Sequence, residues 1–286
     1  MTSLDARLNA FRDDLADARL KGEVRSSRYV EGRPARITAG VADVRNRPCA
    51  DAGLDTQFLR GDEILVFDET SDWVWAQAAH DNYVGYIVKD AVGAAETRLT
   101  HRVCAPRTFL YPGPDLKYPR AGELSLGVAV AIVGFVETRG TAYGLLPSGE
   151  AVVAAHLRPM DEKAEDFVSV AETLLHTPYL WGGVSGFGID CSGLVQLSMR
   201  MAGRNVPRDT DMQAAGIGSS ITPGPDFSGL RRGDLVFWKG HVAIMTDAEN
   251  IIHASGHSMM VSREGLAGAV ARIGYLYGGP TVFRRP

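Results

Sequence analysis

The chain has 286 residues, 45% of them hydrophobic and 22% charged, a composition typical of a folded protein with two or three domains. Its 34 acidic and 30 basic side chains give a pI near 6.0, so nucleic acid is not an expected partner. The longest apolar stretch, Leu124 to Val136, contains one serine and two glycines and is shorter than the ~20 residues of a bilayer span, so no membrane partner is expected either.

The N-terminal residues, Met1 to Leu8, are mixed in charge and lack the apolar core of a signal peptide, so we expect a cytoplasmic protein. We interpret residues 1–33 as an N-terminal docking segment. Within residues 4–22, apolar side chains recur at helical spacing with charges between them, which predicts a short amphipathic helix. These side chains are Leu4, Leu8, Phe11, Leu15 and Ala18.

Residues 34–98 and 99–160 each contain short β-type runs separated by turn residues, which predicts two small β barrels. The two sets share a repeated sequence pattern: Arg45-Asn46-Arg47-Pro48 corresponds to Phe109-Leu110-Tyr111-Pro112. The clearest predicted strands are Ala35–Thr38, Glu63–Phe67, Trp73–Ala78, Tyr83–Val88, Val128–Val136, Tyr143–Leu146 and Ala151–Ala154.

The remaining residues, 161–286, form a third predicted domain. It opens with a helix from Asp161 to about Leu175, and an aromatic, glycine-rich loop follows. A second helix is predicted to begin after Asp190 as N-cap and to stop at Gly203. Cys191 then lies in the first turn, where the helix dipole favours a thiolate over a thiol. The alternative is that Cys191 is simply a small buried apolar residue.

Two of the 7 histidines lie inside apolar runs that we interpret as neighbouring strands. His241 opens a strand after the turn Lys239-Gly240, and His253 lies within the next strand. If the register sets His253 opposite Ala243, the two imidazoles lie one diagonal step apart on one face. A slip by one residue would separate them. A cysteine, a histidine and a polar group that orients this histidine are the components of cysteine-peptidase chemistry.

The chain has 3 cysteines, far apart and odd in number, which fits a reducing compartment rather than a disulfide framework. Cys49 and Cys104 have no partners at the spacing typical of metal ligands, so we interpret both as structural. The residue types of Cys191, His241 and His253 would also allow a zinc site, although this set lacks a closely spaced ligand pair. We expect no metal and no other cofactor.

From about residue 162 to 286 the chain resembles the NlpC-type cell-wall cysteine peptidases, which have a papain-like core. The first barrel resembles a bacterial SH3-like barrel. The resemblance implies an α+β fold with a papain-like domain preceded by two small SH3-like β barrels. It implies Cys191 as nucleophile, His241 as general base and acid, and His253 as the orienting residue. The matching motifs are Trp181-Gly182-Gly183, Asp190-Cys191-Ser192-Gly193, Arg231-Arg232-Gly233-Asp234, Gly240-His241-Val242 and Ile252-His253-Ala254-Ser255.

Within this family the chain looks like the γ-D-glutamyl-L-diamino acid endopeptidases of peptidoglycan recycling. That resemblance implies hydrolysis of the γ-D-glutamyl-diamino acid bond in short murein peptides with a free N-terminal L-Ala, releasing L-Ala-γ-D-Glu. An acid must then bind the substrate ammonium group. The substrate-binding residues that the resemblance implies are Tyr179 on the oxyanion side, Trp181 as a pocket wall, Asp190 and Asp209 for the ammonium group with Ser192 assisting, and Tyr83 from the first barrel.

Each of these six residues also has a purely structural interpretation, as a helix cap, a first-turn residue, a core aromatic or solvated surface. The Cys-His frame would equally suit an acyltransferase or an amidase with another amide substrate. A non-catalytic wall-binding protein is the third alternative. The preferred diamino acid and peptide length, and the oligomeric state, are left open by the sequence.

Overall fold

A computed structural model of the chain describes residues 4–95 and 97–286. The chain divides into two compact units, Met1–Asp161 and Glu162–Pro286. Among the described residues, no helix combines the length and the hydropathy that crossing a membrane requires.

The N-terminal segment of the first unit is not helical, so the amphipathic helix predicted for residues 4–22 is wrong. The segment contains a short parallel strand pair and a single 3₁₀ turn between its two strands. These elements are β1 (Ala16–Asp17), the 3₁₀ turn Ala18–Leu20 and β2 (Tyr29–Val30).

Contacts with the first barrel explain why this segment is extended. Leu15 is fully buried in a cluster with Phe67 and Trp75. The backbone is also paired with the barrel: the Val84 N–H donates to the Arg7 carbonyl at 2.8 Å. Because an isolated helix of this length is marginal in water, tertiary packing and hydrogen bonds outweigh the helical spacing of the apolar residues.

The first barrel is a seven-stranded antiparallel sheet in the order β5-β4-β8-β7-β6-β3-β9. Its inward-facing side chains, including Val44, Phe58, Ile64 and Ile87, form one buried cluster. The strands predicted for this region are present, whereas β4, β5 and β9 were not predicted. The strands are β3 (Arg33–Ile37), β4 (Val41–Arg45), β5 (Leu54–Leu59), β6 (Glu63–Glu69), β7 (Trp73–Ala78), β8 (Val84–Val88) and β9 (Val92–Gly93), with a 3₁₀ turn at Lys89–Ala91 before β9.

The second set of strands in this unit forms two three-stranded sheets, β13-β10-β17 and β14-β15-β16, and the pair β11-β12. The run predicted over Val128–Val136 is divided into two strands, β13 and the start of β14. The strands are β10 (His101–Val103), β11 (Arg107–Leu110), β12 (Gly122–Ser125), β13 (Ala129–Val130), β14 (Gly134–Thr138), β15 (Thr141–Leu145), β16 (Ala151–Val153) and β17 (Leu157–Pro159), with a 3₁₀ turn at Ala154–His156.

The second unit combines four helices with a six-stranded antiparallel sheet in the order β20-β25-β21-β22-β23-β24. Its first helix is shorter than predicted because Asp166, not Asp161, caps it. The elements are α1 (Phe167–Thr173), β18 (Val184–Ser185), β19 (Gly188–Ile189), α2 (Cys191–Met201), α3 (Thr210–Gly216), β20 (Ser219–Ile221), β21 (Leu235–Trp238), β22 (His241–Met245), β23 (Asn250–Ser255), β24 (Met260–Gly265), α4 (Leu266–Tyr277) and β25 (Val282–Arg285).

Helix α4 covers one face of this sheet. Its Leu266, Ala269 and Ile273 side chains pack in one buried cluster with Ala243 of β22 and Ile251 of β23. Helix α2 contacts the same two strands and is buried along almost its whole length. Strands β22 and β23, which carry His241 and His253, therefore pack against the helix that begins with Cys191.

Candidate active site

The site is built around the start of α2. Asp190 is the N-cap, as predicted, and its carboxylate accepts a 2.7 Å hydrogen bond from the Gly193 N–H. Cys191 is the first residue of the helix and is only 7% exposed. The sulfur is thus held at a fixed position at the end of a buried helix.

The glycines of the preceding loop permit close packing against this helix. The Asp190 N–H donates to the Gly183 carbonyl at 3.1 Å, and a Cβ on Gly193 would collide with the same oxygen. A Cβ on Gly183 would lie 2.5 Å from the Gly188 carbonyl oxygen. Only glycine fits at Gly183 and Gly193, because backbone contacts backbone at both positions.

A buried arginine that the sequence analysis did not identify balances the charge of Asp190. Arg208 is 1% exposed, and its guanidinium donates to both carboxylate oxygens, at 2.6 and 3.0 Å. It also donates to the Ser192 hydroxyl at 2.7 Å. The Gly182 N–H is a further donor to Asp190, at 2.9 Å. Asp190 and Ser192 are therefore engaged with Arg208, and binding of substrate by either of them stays a prediction.

The two histidines meet as predicted. Strands β22 and β23 pair Ile244 with Ile252, and the same register one step further sets Ala243 opposite His253. His241 Nε2 lies 2.8 Å from His253 Nδ1, a hydrogen bond across one diagonal of the sheet. The Trp238 ring packs beside His241, with ring centroids 5.7 Å apart. The predicted register is confirmed.

Cys191 reaches this histidine pair through the backbone of β22. The N–H of Val242, the residue after His241, contacts the sulfur and lowers the pKa of the thiol. Burial has the largest effect and, together with the neighbouring Asp190 carboxylate, raises that pKa to about 12. The thiolate expected from the helix dipole is therefore not the resting form, because desolvation outweighs the nearby N–H groups.

The same physical cause acts on His241. Burial lowers the pKa of this imidazole well below its usual range, and the adjoining His253 acts in the same direction. Both members of the pair are consequently neutral at rest, a thiol and an imidazole. The imidazole is then available to accept a proton at neutral pH.

A carboxylate that the sequence analysis also missed lies behind His253. Glu264 Oε1 is 2.8 Å from His253 Nε2, and the contact keeps the pKa of Glu264 below its usual range. The N–H direction of this ring nitrogen is off the line to the oxygen, so the contact is electrostatic rather than an aligned hydrogen bond. The sequence does contain an acid in the strand after His253. Only the register of β24 shows that this acid lies beside His253.

The other predicted residues have mixed placements. Tyr179 is half-buried, and burial together with the nearby Cys191 raises the pKa of its hydroxyl. Trp181 is 71% exposed, which contradicts its interpretation as a core aromatic. Asp209 stands at the N-cap position of α3, half-buried, but its side chain does not cap the helix. In the first unit, Tyr83 is 4% exposed within the barrel cluster, and not on the solvated surface.

All three cysteines are free: Cys49 is exposed, Cys104 is half-buried and Cys191 is buried. Within residues 4–95 and 97–286, no three His, Cys, Asp or Glu side chains are grouped so that they could hold a metal ion.

We expect Arg208→Met to lower the free energy of unfolding by about 3–5 kcal/mol, because it leaves the Asp190 carboxylate buried without its counter-charge. Denaturation of the full chain measures this change. Arg263→Met is the control in the same unit, since its contact with Asp247 is long, 3.8 Å, and both side chains are 47% exposed. Its cost should stay within about 1 kcal/mol. Equal losses for the two variants would contradict a special role for the buried pair.

Alkylation of Cys191 by iodoacetamide should accelerate steadily with pH from neutrality upward. Because the thiol pKa is raised to about 12, the thiolate fraction grows roughly tenfold per pH unit and does not level off near the usual value of about 8.5. Mass spectrometry of the Cys191 peptide separates this reaction from that of exposed Cys49, and circular dichroism checks folding. A plateau already present at pH 7 would instead indicate a resting thiolate.

Comparison with known proteins agrees with this geometry. Residues 176–272 match the NlpC/P60 family, and residues 44–92 match the bacterial dipeptidyl-peptidase Sh3 domain. The gamma-D-glutamyl-L-lysine dipeptidyl-peptidase of Bacillus cereus is 29% identical over 238 residues, which cover 70% of this chain and 67% of that protein. The murein DD-endopeptidase MepS/murein LD-carboxypeptidase of Escherichia coli is 30% identical over 166 residues, covering 52% of this chain and 85% of that protein.

A solved structure of an NlpC/P60 family protein from Bacillus cereus has the same fold. It aligns with a TM-score of 0.72 at 22% identity and covers 88% of this chain and 99% of that one. The predicted fold class is confirmed for the papain-like domain and for the SH3-like barrel at residues 44–92, whereas the second SH3-like barrel stays a prediction. The chain belongs to the NlpC/P60 family and is a cysteine peptidase with an N-terminal bacterial SH3 domain.

Proposed function

We propose that this peptidase hydrolyses the amide between the γ-carboxyl of D-glutamate and a diamino acid in short peptidoglycan peptides, releasing L-Ala-γ-D-Glu. The observation that carries the proposal is the meeting of Cys191, at the start of α2, with the backbone beside His241, whose imidazole bonds His253 at 2.8 Å. The name of the Bacillus cereus relative supports the γ-D-glutamyl bond as the bond cleaved.

The hydrogen bond between the two histidines decides which nitrogen can take the proton of the thiol. In the arrangement that suits catalysis, His241 donates from Nε2 to Nδ1 of His253 across their 2.8 Å contact, so His241 Nδ1 keeps its lone pair. That nitrogen takes the thiol proton as Cys191 attacks the γ-carbonyl carbon. The imidazolium then gives the proton to the leaving amine of the diamino acid, and a thioester remains.

Deacylation reverses these roles. A water molecule gives one proton to His241 while its oxygen attacks the thioester carbon, and the proton returns to the sulfur as the dipeptide leaves with a new γ-carboxyl group. The pKa of His241 is already lowered by burial, so its neutral form is present at neutral pH to begin each half of the cycle.

Tyr179 is our proposed donor to the oxyanion that forms during both attacks. Burial and the nearby Cys191 and Asp190 raise the pKa of its hydroxyl, so the group stays protonated at neutral pH. A protonated phenol in a partly dehydrated position donates a strong hydrogen bond to a developing negative charge. Trp181, exposed at the start of the glycine loop, is the proposed wall on the substrate side.

Asp209 is our proposed partner for the substrate ammonium group. Asp190 already shares both carboxylate oxygens with Arg208, so the charge of this pair is balanced without substrate. Asp209 directly follows Arg208 in the chain and lies half-buried at the start of α3. Because Asp209 pairs with an ammonium group in this proposal, N-blocked peptides are excluded: they would desolvate the carboxylate without pairing it.

We also propose that the reaction serves the recycling of murein peptides inside the cell. Three free cysteines, one of them exposed, suit a reducing compartment. Tyr83 stays a proposed contribution of the first barrel to substrate binding, with Ser192 assisting at the amine side.

The direct test is incubation of the full chain with L-Ala-γ-D-Glu-diaminopimelate, with its lysine counterpart and with the N-acetylated form of each. We expect release of L-Ala-γ-D-Glu from the free-amine peptides only, measured by liquid chromatography and mass spectrometry. Cys191→Ala should release none, because the nucleophile is removed. If neither free-amine peptide is cleaved, the proposed substrate is wrong.

Asp209→Asn should raise KM for the free-amine peptide by about 10-fold or more and reduce the preference over the N-acetyl peptide, since the carboxylate that pairs the ammonium group is gone. Steady-state kinetics on both peptides measure this. Asp211→Asn, two residues further along α3 and exposed, is the matched control and should leave both values unchanged. An unaltered preference in Asp209→Asn would rule out this acid as the amine site.

A further inference from the structure

Two strand pairings decide which side chain lies behind the histidine pair. In the β23-β24 hairpin, Ile251 is opposite Glu264. His253 is two residues beyond Ile251 and so projects to the same face, one diagonal step from Glu264. The β22-β23 register adds the diagonal from His241 to His253. The three side chains therefore form a line across three neighbouring strands.

The middle member of this line has a polar neighbour at each ring nitrogen. His253 Nδ1 is 2.8 Å from His241 Nε2, and His253 Nε2 is 2.8 Å from Glu264 Oε1. The His253 side chain is 0% exposed, while that of Glu264 is 28% exposed. The carboxylate consequently lies where the line reaches the surface, and the imidazole lies entirely inside.

Helix α4 holds the carboxylate from the other side. Arg272 hydrogen-bonds Glu264 Oε1, the same oxygen that faces His253. The helix itself is fixed, because Leu266, Ala269 and Ile273 are buried against the sheet. Glu264 is therefore held between a buried imidazole and a guanidinium on a packed helix.

We propose that Glu264 is a positioning residue of the peptidase, which fixes the tautomer of His253 and, through it, that of His241. The negative oxygen at Nε2 favours the His253 tautomer with its proton on that nitrogen. His253 Nδ1 must then accept from His241 Nε2–H, and His241 Nδ1 is left to take the proton of Cys191. No proton passes to Glu264. This role rests on the assignment of Cys191, His241 and His253 proposed above.

The charged groups around His241 and His253 support these roles. His241 and His253 face each other from β22 and β23, Glu264 faces them from β24 and Arg272 from α4. Burial is the main cause that lowers the pKa of His241, with His253 and Arg272 in the same direction, while Glu264 opposes them. The carboxylate thus stabilises the imidazolium that forms when the thiol proton is transferred.

The test compares Glu264→Ala and Glu264→Gln with the full-length enzyme. Glu264→Ala should lower kcat about 10- to 100-fold with KM nearly unchanged, since only the orientation of the base is lost. The acid limb of its pH–rate profile should move to lower pH, because the group that raises the pKa of His241 has been removed. Glu264→Gln keeps the size of the side chain but removes the negative charge, so it should lose kcat and shift the acid limb as Glu264→Ala does.

Glu172→Ala is the matched control. The Glu172 side chain is 30% exposed and also pairs with an arginine, Arg232, but contacts neither histidine. It should leave kcat and the pH profile unchanged. An equal loss in Glu172→Ala, or wild-type kcat in a folded Glu264→Ala, would overturn the proposal.

A second readout needs no peptide, so it stays informative if the proposed substrate is wrong. Nitrogen-15 NMR of labelled histidine rings should show His253 protonated at Nε2 in the wild type, and a mixture of tautomers in Glu264→Gln and in Glu264→Ala. An unchanged tautomer in Glu264→Ala would refute the positioning role even if activity fell.

Discussion

The buried pair of Asp190 and Arg208 is the interaction on which the rest of the site depends. Taking two charges out of water is costly unless the remaining hydrogen-bonding positions are filled. Here the carboxylate also receives the N–H groups of Gly182 and Gly193, one from the loop and one from the helix. The pair therefore ties the glycine loop to the start of α2 and fixes the place of Cys191. Its two charges act on the pKa of the thiol in opposite directions, and Asp190 raises it by more than Arg208 lowers it.

The sheet supplies the second constraint, and it acts through register alone. A strand presents alternate residues to one face, so one pairing choice decides whether two distant histidines meet or point apart. Once His241 and His253 are aligned, the β24 pairing brings Glu264 to the same line without any further requirement. Burial then keeps both the thiol and the imidazole neutral. A neutral base therefore lies beside a neutral acid, and neither Cys191 nor His241 carries a charge between turnovers.

Local signals made the core of the site predictable from the sequence. Asp190 before an apolar-periodic run identified the N-cap of α2, and the Lys239-Gly240 turn identified the hairpin that begins with His241. What could not be predicted depends on contacts between distant residues. The N-terminal helix failed because the barrel binds that backbone in an extended form. Arg208 looked like a loop residue because its partners lie 16 and 18 residues earlier in the chain, and Glu264 required a hairpin register that no local motif specifies.

The resting state of the nucleophile has a consequence for survival under oxidative stress. Peroxides attack thiolates far faster than thiols, and they need access to the sulfur. Cys191 is protected on both counts, because it is buried and burial raises the pKa of its thiol. Exposed Cys49 meets such oxidants first, and a sulfenic acid formed there lies in the other unit of the chain. The peptidase thus keeps its reactive sulfur in the form least open to irreversible damage.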